Sequence, residues 1–139
     1  MNAFDNLVQR YAPPIGRTLL ALLFIISGYG KIGAFAQTAG YMASKGLPMA
    51  EVLLVLTILI ELGGGLMILV GWQARWAALL LFLWLIPATL MFHNFWGMDA
   101  AQMRNQFNHF FKNLCIMGGM LYVVAYGSGP FSLGREPAK

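Results

Sequence analysis

The sequence predicts an all-α membrane protein, a bundle of four transmembrane helices joined by short interfacial helices or loops. Three observations predict it. Charged residues make up 10% of the chain and hydrophobic ones 59%, whereas a soluble domain carries roughly 25% charged residues. A soluble core built from 139 residues cannot hide that much apolar surface, because surface falls too slowly with size. Four apolar stretches approach the roughly 20 residues that a helix needs to cross a ~30 Å hydrocarbon core. Backbone groups in lipid must be satisfied within the segment, which makes these stretches helices. The alternating strands of a β-barrel are not found.

The elements follow in order along a single domain covering residues 1–139. The first span is read at 15–32, with Pro13-Pro14 ahead of it as a helix start. No small-x-small cleavage site follows it, so it is expected to remain as a membrane span. Residues 33–48 are mildly amphipathic, with Phe35, Ala39, Met42 and Ala43 set against Gln37, Ser44 and Lys45. They suit either a short helix on the membrane surface or a plain loop. The second span is read at 49–70, after the break Gly46-Leu47-Pro48. Gly71-Trp72-Gln73 then allows only a tight antiparallel hairpin, and Trp72 and Trp76 suit an interfacial aromatic belt. The third span is read at 74–93, with Pro87 able to bend it. Residues 94–106 are read as an interfacial lid, and the fourth span as 107–126, ending at Gly127-Ser128-Gly129-Pro130. Residues 131–139 read as a polar, mobile tail.

The net charge of +4 comes from basic residues scattered singly, which excludes a nucleic-acid groove and points to contact with membrane lipids. Four spans put both termini on one side. That side carries Arg10, Arg17, Arg75, Arg135 and Lys139, against Lys31, Lys45, Arg104 and Lys112 on the other. With Lys31 and Lys112 turned into the bundle, the excess predicts cytoplasmic termini. The single cysteine, Cys115, cannot form a disulfide within the chain and is read as a small buried packing residue.

Ionisable side chains near the centre of a span cost at least ~2.5–3.5 kcal/mol each, so they need partners or a wet cavity. On the first span Arg17, Ala21, Phe24, Gly28 and Lys31 share one helical face; on the fourth, His109, Lys112, Asn113, Ile116 and Gly119 do the same. His93 closes the third span. Glu61 lies near the middle of the second, roughly 15 Å from either end, and Gly63-Gly64-Gly65 beside it lets a neighbouring helix approach. Arg17 and Lys112, one from each side, are candidates to reach it. Glu61, Arg17, Lys31, His93, His109, Lys112 and Asn113 are therefore the candidate ligand site or polar cluster, weighed against a purely structural ion pair. The histidines and Glu61 lack metal-ligand spacing, so no metal centre is expected. Phe92, Phe95, Trp96, Phe107, Phe110 and Phe111 crowd around the histidines, a mixture that suits a flat aromatic ligand or simple helix packing.

Several motifs carry a family resemblance: Ser27-Gly28-Tyr29-Gly30-Lys31-Ile32, Tyr41-Met42, Gly46-Leu47-Pro48, Glu61-Leu62-Gly63-Gly64-Gly65-Leu66, His93-Asn94-Phe95-Trp96 and Phe111-Lys112-Asn113-Leu114. In this order the chain resembles the DoxX family over nearly its whole length. The resemblance implies a four-helix protein of the bacterial inner membrane. Relatives include the membrane subunit of thiosulfate:quinone oxidoreductase, which implies a quinone-linked or redox-accessory role by analogy. On this reading Glu61 accepts a proton or anchors the polar network, Arg17, Lys31 and Lys112 balance it, and the histidines pass protons to the surface. Quinone is the cofactor it implies, and a redox partner subunit or a homo-oligomer the assembly. The rival reading is a non-catalytic subunit that stabilises a partner complex. A small-molecule transporter is the third, with little material for alternating access.

Overall fold

The computed structural model describes residues 2–134. Five helices follow one another: α1 (Ala3–Gly33), α2 (Phe35–Ser44), α3 (Ala50–Val70), α4 (Ala74–Phe92) and α5 (Ala100–Tyr126). No strand occurs among the described residues. At 1.5 Å per residue the four long helices span about 46, 31, 28 and 40 Å respectively. Helices α1, α3 and α4 are long and apolar enough to cross a membrane. Helix α5 has the length, but Gln102, Arg104, Asn105, Gln106 and Asn108 dilute its first half.

Two helices begin earlier than hydropathy suggests. Helix α1 starts at Ala3, not at Ile15, because Asn2 and Asp5 form a capping box: Asn2 Oδ1 accepts from Asp5 N at 2.9 Å, and Asp5 Oδ2 accepts from Asn2 N at 3.3 Å. Pro13 and Pro14 lie inside this helix. They remove two donors, and the carbonyls left over belong to Gln9 and Arg10, which are exposed. Helix α5 starts at Ala100 because Asp99 accepts from Gln102 N at 2.9 Å. Residues 100–106, read as part of a lid, are its first turns. Hydropathy ends where the apolar environment ends, but a capped helix continues. Residues 35–44 form a helix and not a plain loop.

The bundle forms by stacking neighbours, α1 on α3, α3 on α4 and α4 on α5, while α1 and α5 meet only sparsely. Glycines set the close approaches. A methyl on Gly28 would lie 2.8 Å from Leu62 Cγ, on Gly65 3.0 Å from Ile25 Cγ1, and on Gly64 3.0 Å from the Leu81 side chain. Helix α1 therefore runs antiparallel to α3, with Gly28 beside Glu61 and Leu62, and Ala21 and Ile25 beside Gly65. The small-residue seam lets α3 bury between two neighbours by van der Waals packing, which is the term that associates helices in lipid. Gly28→Ala is expected to lower stability by about 1–3 kcal/mol through overpacking, read as a lower unfolding midpoint in detergent. An unchanged midpoint would mean that α1 and α3 are less tightly opposed.

The core contains Ala21, Phe24, Ile68, Leu81, Leu85 and Met120, and a smaller cluster pins α2 to α3 through Ala39, Met42, Leu54 and Ile58. Leu19, Ile26, Leu59 and Trp76 are each more than 60% exposed. An apolar shell of that extent is costly in water and neutral in lipid. Cys115 is exposed on α5, contrary to its expected packing role. It lies two residues past Asn113, on the opposite side of the helix from it. Residues 131–134 are also not a free tail. Leu133 N donates to Val70 O at 2.9 Å and Gly134 N to Gly71 O at 3.1 Å. Residues 135–139, including the Arg135 and Lys139 of the charge count, lie outside the described part.

Candidate functional site

The inward stripe predicted on α1 is the one that forms: Arg17, Ala21, Phe24 and Gly28 are all buried, and Lys31 follows one turn on. From Lys31 the Nζ donates to Ser27 Oγ at 2.5 Å and to Glu61 Oε2 at 2.8 Å. The carboxylate is 10% exposed and the lysine side chain 25%, so the pair sits at the wall of a cavity and not in bulk solvent. The antiparallel register of α1 and α3 is what brings it together.

Arg17 does not join this pair. Gly28 lies level with Glu61, and the eleven residues back to Arg17 amount to about 16 Å of helix rise, more than its side chain spans. Its guanidinium instead grips the chain after α5: Nη1 donates to Ser128 O at 2.6 Å and to Pro130 O at 2.9 Å, and Nη2 donates to Phe131 O. Arg17 is thus a clamp on the C-terminal segment at the far end of the bundle.

Five of the seven candidate residues, Lys31, Glu61, His93, Lys112 and Asn113, line one cavity of about 320 Å³. That volume lies within the roughly 300–1,000 Å³ of small-ligand sites. All four long helices contribute to it, and α2 covers it with Thr38, Tyr41 and Met42. The remaining wall is largely apolar and aromatic, with Phe24, Trp84, Leu85 and Phe92. Asn113 Nδ2 donates to Thr89 Oγ1 at 3.0 Å, which ties α5 to α4 at the floor.

His109 stands behind the wall. Its ring stacks on His93 with centroids 5.1 Å apart, and its Nδ1 lies 3.2 Å from Lys112 Nζ. His93 Nδ1 lies 3.0 Å from Gln106 Oε1 on the first turns of α5. The four groups form a polar chain from the cavity to the end of the bundle opposite the termini. Among the described residues, no three His, Cys, Asp or Glu side chains converge as a metal site would require.

The aromatic set divides in two. Phe92 turns to the cavity beside Tyr41, with centroids at 5.8 Å. Phe95 instead gathers Trp96, Phe107 and Phe110 within 5.5 Å in a separate edge-to-face cluster. Sequence reasoning passed over Ser27 and Thr57, although both were within reach of it. Ser27 precedes Lys31 by four residues and Thr57 precedes Glu61 by four, so each shares its partner's face. Trp84, Thr89 and Gln106 carry no such signal, since only the packing of α4 and α5 aims them here.

Comparison with known proteins gives a consistent result. The family model described as DoxX matches residues 12–94. Inner membrane protein YqjF of Escherichia coli is 36% identical, over 87% of this chain and 88% of its own. Inner membrane protein YphA of the same organism is 31% identical, over 88% of this chain and 87% of its own. The Surfeit locus protein 4 homolog of Schizosaccharomyces pombe is 28% identical over 92% of this chain and 38% of that protein. No solved structure matches. The family match contains Lys31, Glu61 and His93, while Lys112 and Asn113 lie beyond it.

Proposed function

The chain belongs to the DoxX family, and on that premise we propose an integral protein of the bacterial inner membrane that binds a small hydrophobic carbonyl compound, a quinone, in the service of a redox partner. The observation that carries this reading is the cavity itself. A mostly apolar, aromatic chamber presents an ion pair, a histidine, a lysine and an asparagine to whatever enters it. Such a wall fits a flat ring with polar oxygens at its edge. Lys112 and Asn113 donate hydrogen bonds to a ring oxygen, Glu61 held by Lys31 takes a proton that the reduced, quinol form sheds as its two electrons pass to the redox partner, and His93 stacked on His109 exchanges it with the surface.

In this reading α5 is the fourth crossing and both termini face the cytoplasm. Arg10 and Arg75 lie at the terminal end of the bundle; at the other, Lys31 and Lys112 turn into the cavity and leave Lys45 and Arg104 outside. The cavity then opens towards the periplasmic half.

The test is binding of a benzoquinone to the protein purified with native lipids. Glu61→Gln and Lys112→Met are each expected to weaken it roughly tenfold. No binding by the parent, or unchanged binding in both variants, would sink the proposal. One observation favours a second reading: the Lys31–Glu61 pair closes on itself at 2.8 Å and can act as a purely structural staple. The protein is then a non-catalytic subunit that stabilises a partner complex, and Glu61→Gln lowers abundance with no separable binding defect.

A further inference from the structure

A second hollow of about 690 Å³ runs along the seam where α1 and α5 meet only sparsely. Its walls include Gly16, Leu20 and Leu23 from α1 and Ile116, Gly119 and Tyr122 from α5. Leu23 belongs to both hollows. On α5 the cavity wall ends at Asn113 and the groove wall begins one turn later, at Ile116. On α1 the same change of lining falls between Phe24, in the cavity, and Leu20, in the groove. Both helices therefore pass from polar chamber to apolar groove at one level, as they would along a single continuous space.

The two parts differ in chemistry. The chamber holds the charged and amide groups. The groove is apolar until its far end, where Arg17 has its two terminal nitrogens engaged by backbone carbonyls. From Leu23 to Pro13 the groove follows ten residues of α1, about 15 Å of helix rise. We infer that the ligand is an amphiphile, whose polar ring lies in the Lys31–Glu61 chamber and whose long hydrocarbon or isoprenoid tail lies in the α1–α5 groove.

The inference rests on the reading of the chamber given above and adds the tail, its direction and the route of entry. The ligand comes sideways from the bilayer between α1 and α5, and its tail points towards the end that carries the termini. The tail gains little by leaving one apolar surrounding for another. The groove acts instead by holding the ring in one orientation; Leu20 packs directly on Gly119, where a Cβ would already stand 3.1 Å from Leu20 Cδ2, so the tail lies along this contact and not through it.

Gly16 offers the test. It lines the groove, yet a Cβ added there meets nothing within 4 Å, so the side chain of Gly16→Leu starts from open space at the groove wall and has better helix propensity. Gly118 has equally open surroundings and lies outside the groove lining, which makes Gly118→Leu the control. Two probes are compared in lipid nanodiscs, a benzoquinone with a long isoprenoid tail and the same ring without one. Gly16→Leu is expected to weaken the tailed probe roughly tenfold while changing the tail-less one less than about twofold, and Gly118→Leu to change neither. A photoreactive group at the end of the tail is expected to label α1 and α5 near Gly16 and Tyr122. Unchanged binding of the tailed probe by Gly16→Leu, or labelling only elsewhere, overturns the tail assignment and leaves the chamber reading intact. Failure of both probes to bind the parent overturns the chamber reading, and the tail assignment with it.

Discussion

Replacing Arg17 by Met is expected to destabilise the protein by about 3–5 kcal/mol, because three backbone carbonyls lose one charged donor at once. The side chain is 5% exposed, and its fork holds the carbonyls of Ser128, Pro130 and Phe131. Hydrogen bonds to a charged donor are worth roughly 1.5–3 kcal/mol each and do not simply add. Without the fork three acceptors lose their donor together. Only the backbone bonds of Leu133 to Val70 and of Gly134 to Gly71 then keep Ser132 against Gly71, where the approach is so close that a Cβ would stand 2.3 Å away. Gly71 also holds φ at +70°, so this turn has been left to glycine twice over. Arg17→Lys should recover part of the loss, since an ammonium offers three donors from one point and cannot span the fork. The check is the unfolding midpoint in detergent, together with limited proteolysis after Tyr126. A midpoint and a digestion pattern equal to the parent's would show that the clamp does not hold the segment.

The second large effect is expected at Lys31. Lys31→Met takes from Glu61 its direct cationic partner and leaves Lys112 as the cation elsewhere on the cavity lining, and the loss should be about 2–3 kcal/mol. That is below the roughly 3–5 kcal/mol of a fully buried pair because the lysine side chain is a quarter exposed. Combining it with Glu61→Leu should recover much of the loss, because the double variant leaves no charge behind. A double-mutant cycle on unfolding free energies measures this directly, with a coupling of at least about 1 kcal/mol expected. Additive losses would mean that the 2.8 Å contact contributes nothing, and they would weaken both readings of the site equally.

Much of the fold was legible because lipid imposes strong rules. A residue inside the bilayer is apolar or it has a reason, so the spans and the exceptions to them can be read by eye. The inward face of α1 was predicted by spacing alone, down to Gly28, and the hairpin at 71–73 by its length. Cys115 was misplaced because a small thiol is compatible with core and lipid alike. The early start of α1 escaped because the capping box of Asn2 and Asp5 lies outside the apolar stretch, where hydropathy has no signal. The candidate site was legible as a set of seven residues but not as a constellation, since helical spacing orders each helix and says nothing about how far one slides past the next.

That distinction separates the two levels of information here. The sequence by itself determined that the chain is helical and apolar outside, that Glu61 needs a partner, and that glycines at 63–65 bring a helix close. Local rules decide such things: hydrogen-bond satisfaction, helical periodicity and the cost of charge in lipid. Only the tertiary structure decided which cation Glu61 receives. Lys31 and Arg17 lie on the same face of α1, and each is long enough to pair with an acid at its own level. The antiparallel packing of Gly28 on Leu62 sets the level, and it gives Glu61 to Lys31 and Arg17 to the C-terminal carbonyls. The physical reason is axial register, set by side chains from two helices that are distant in sequence and fixed only when they touch.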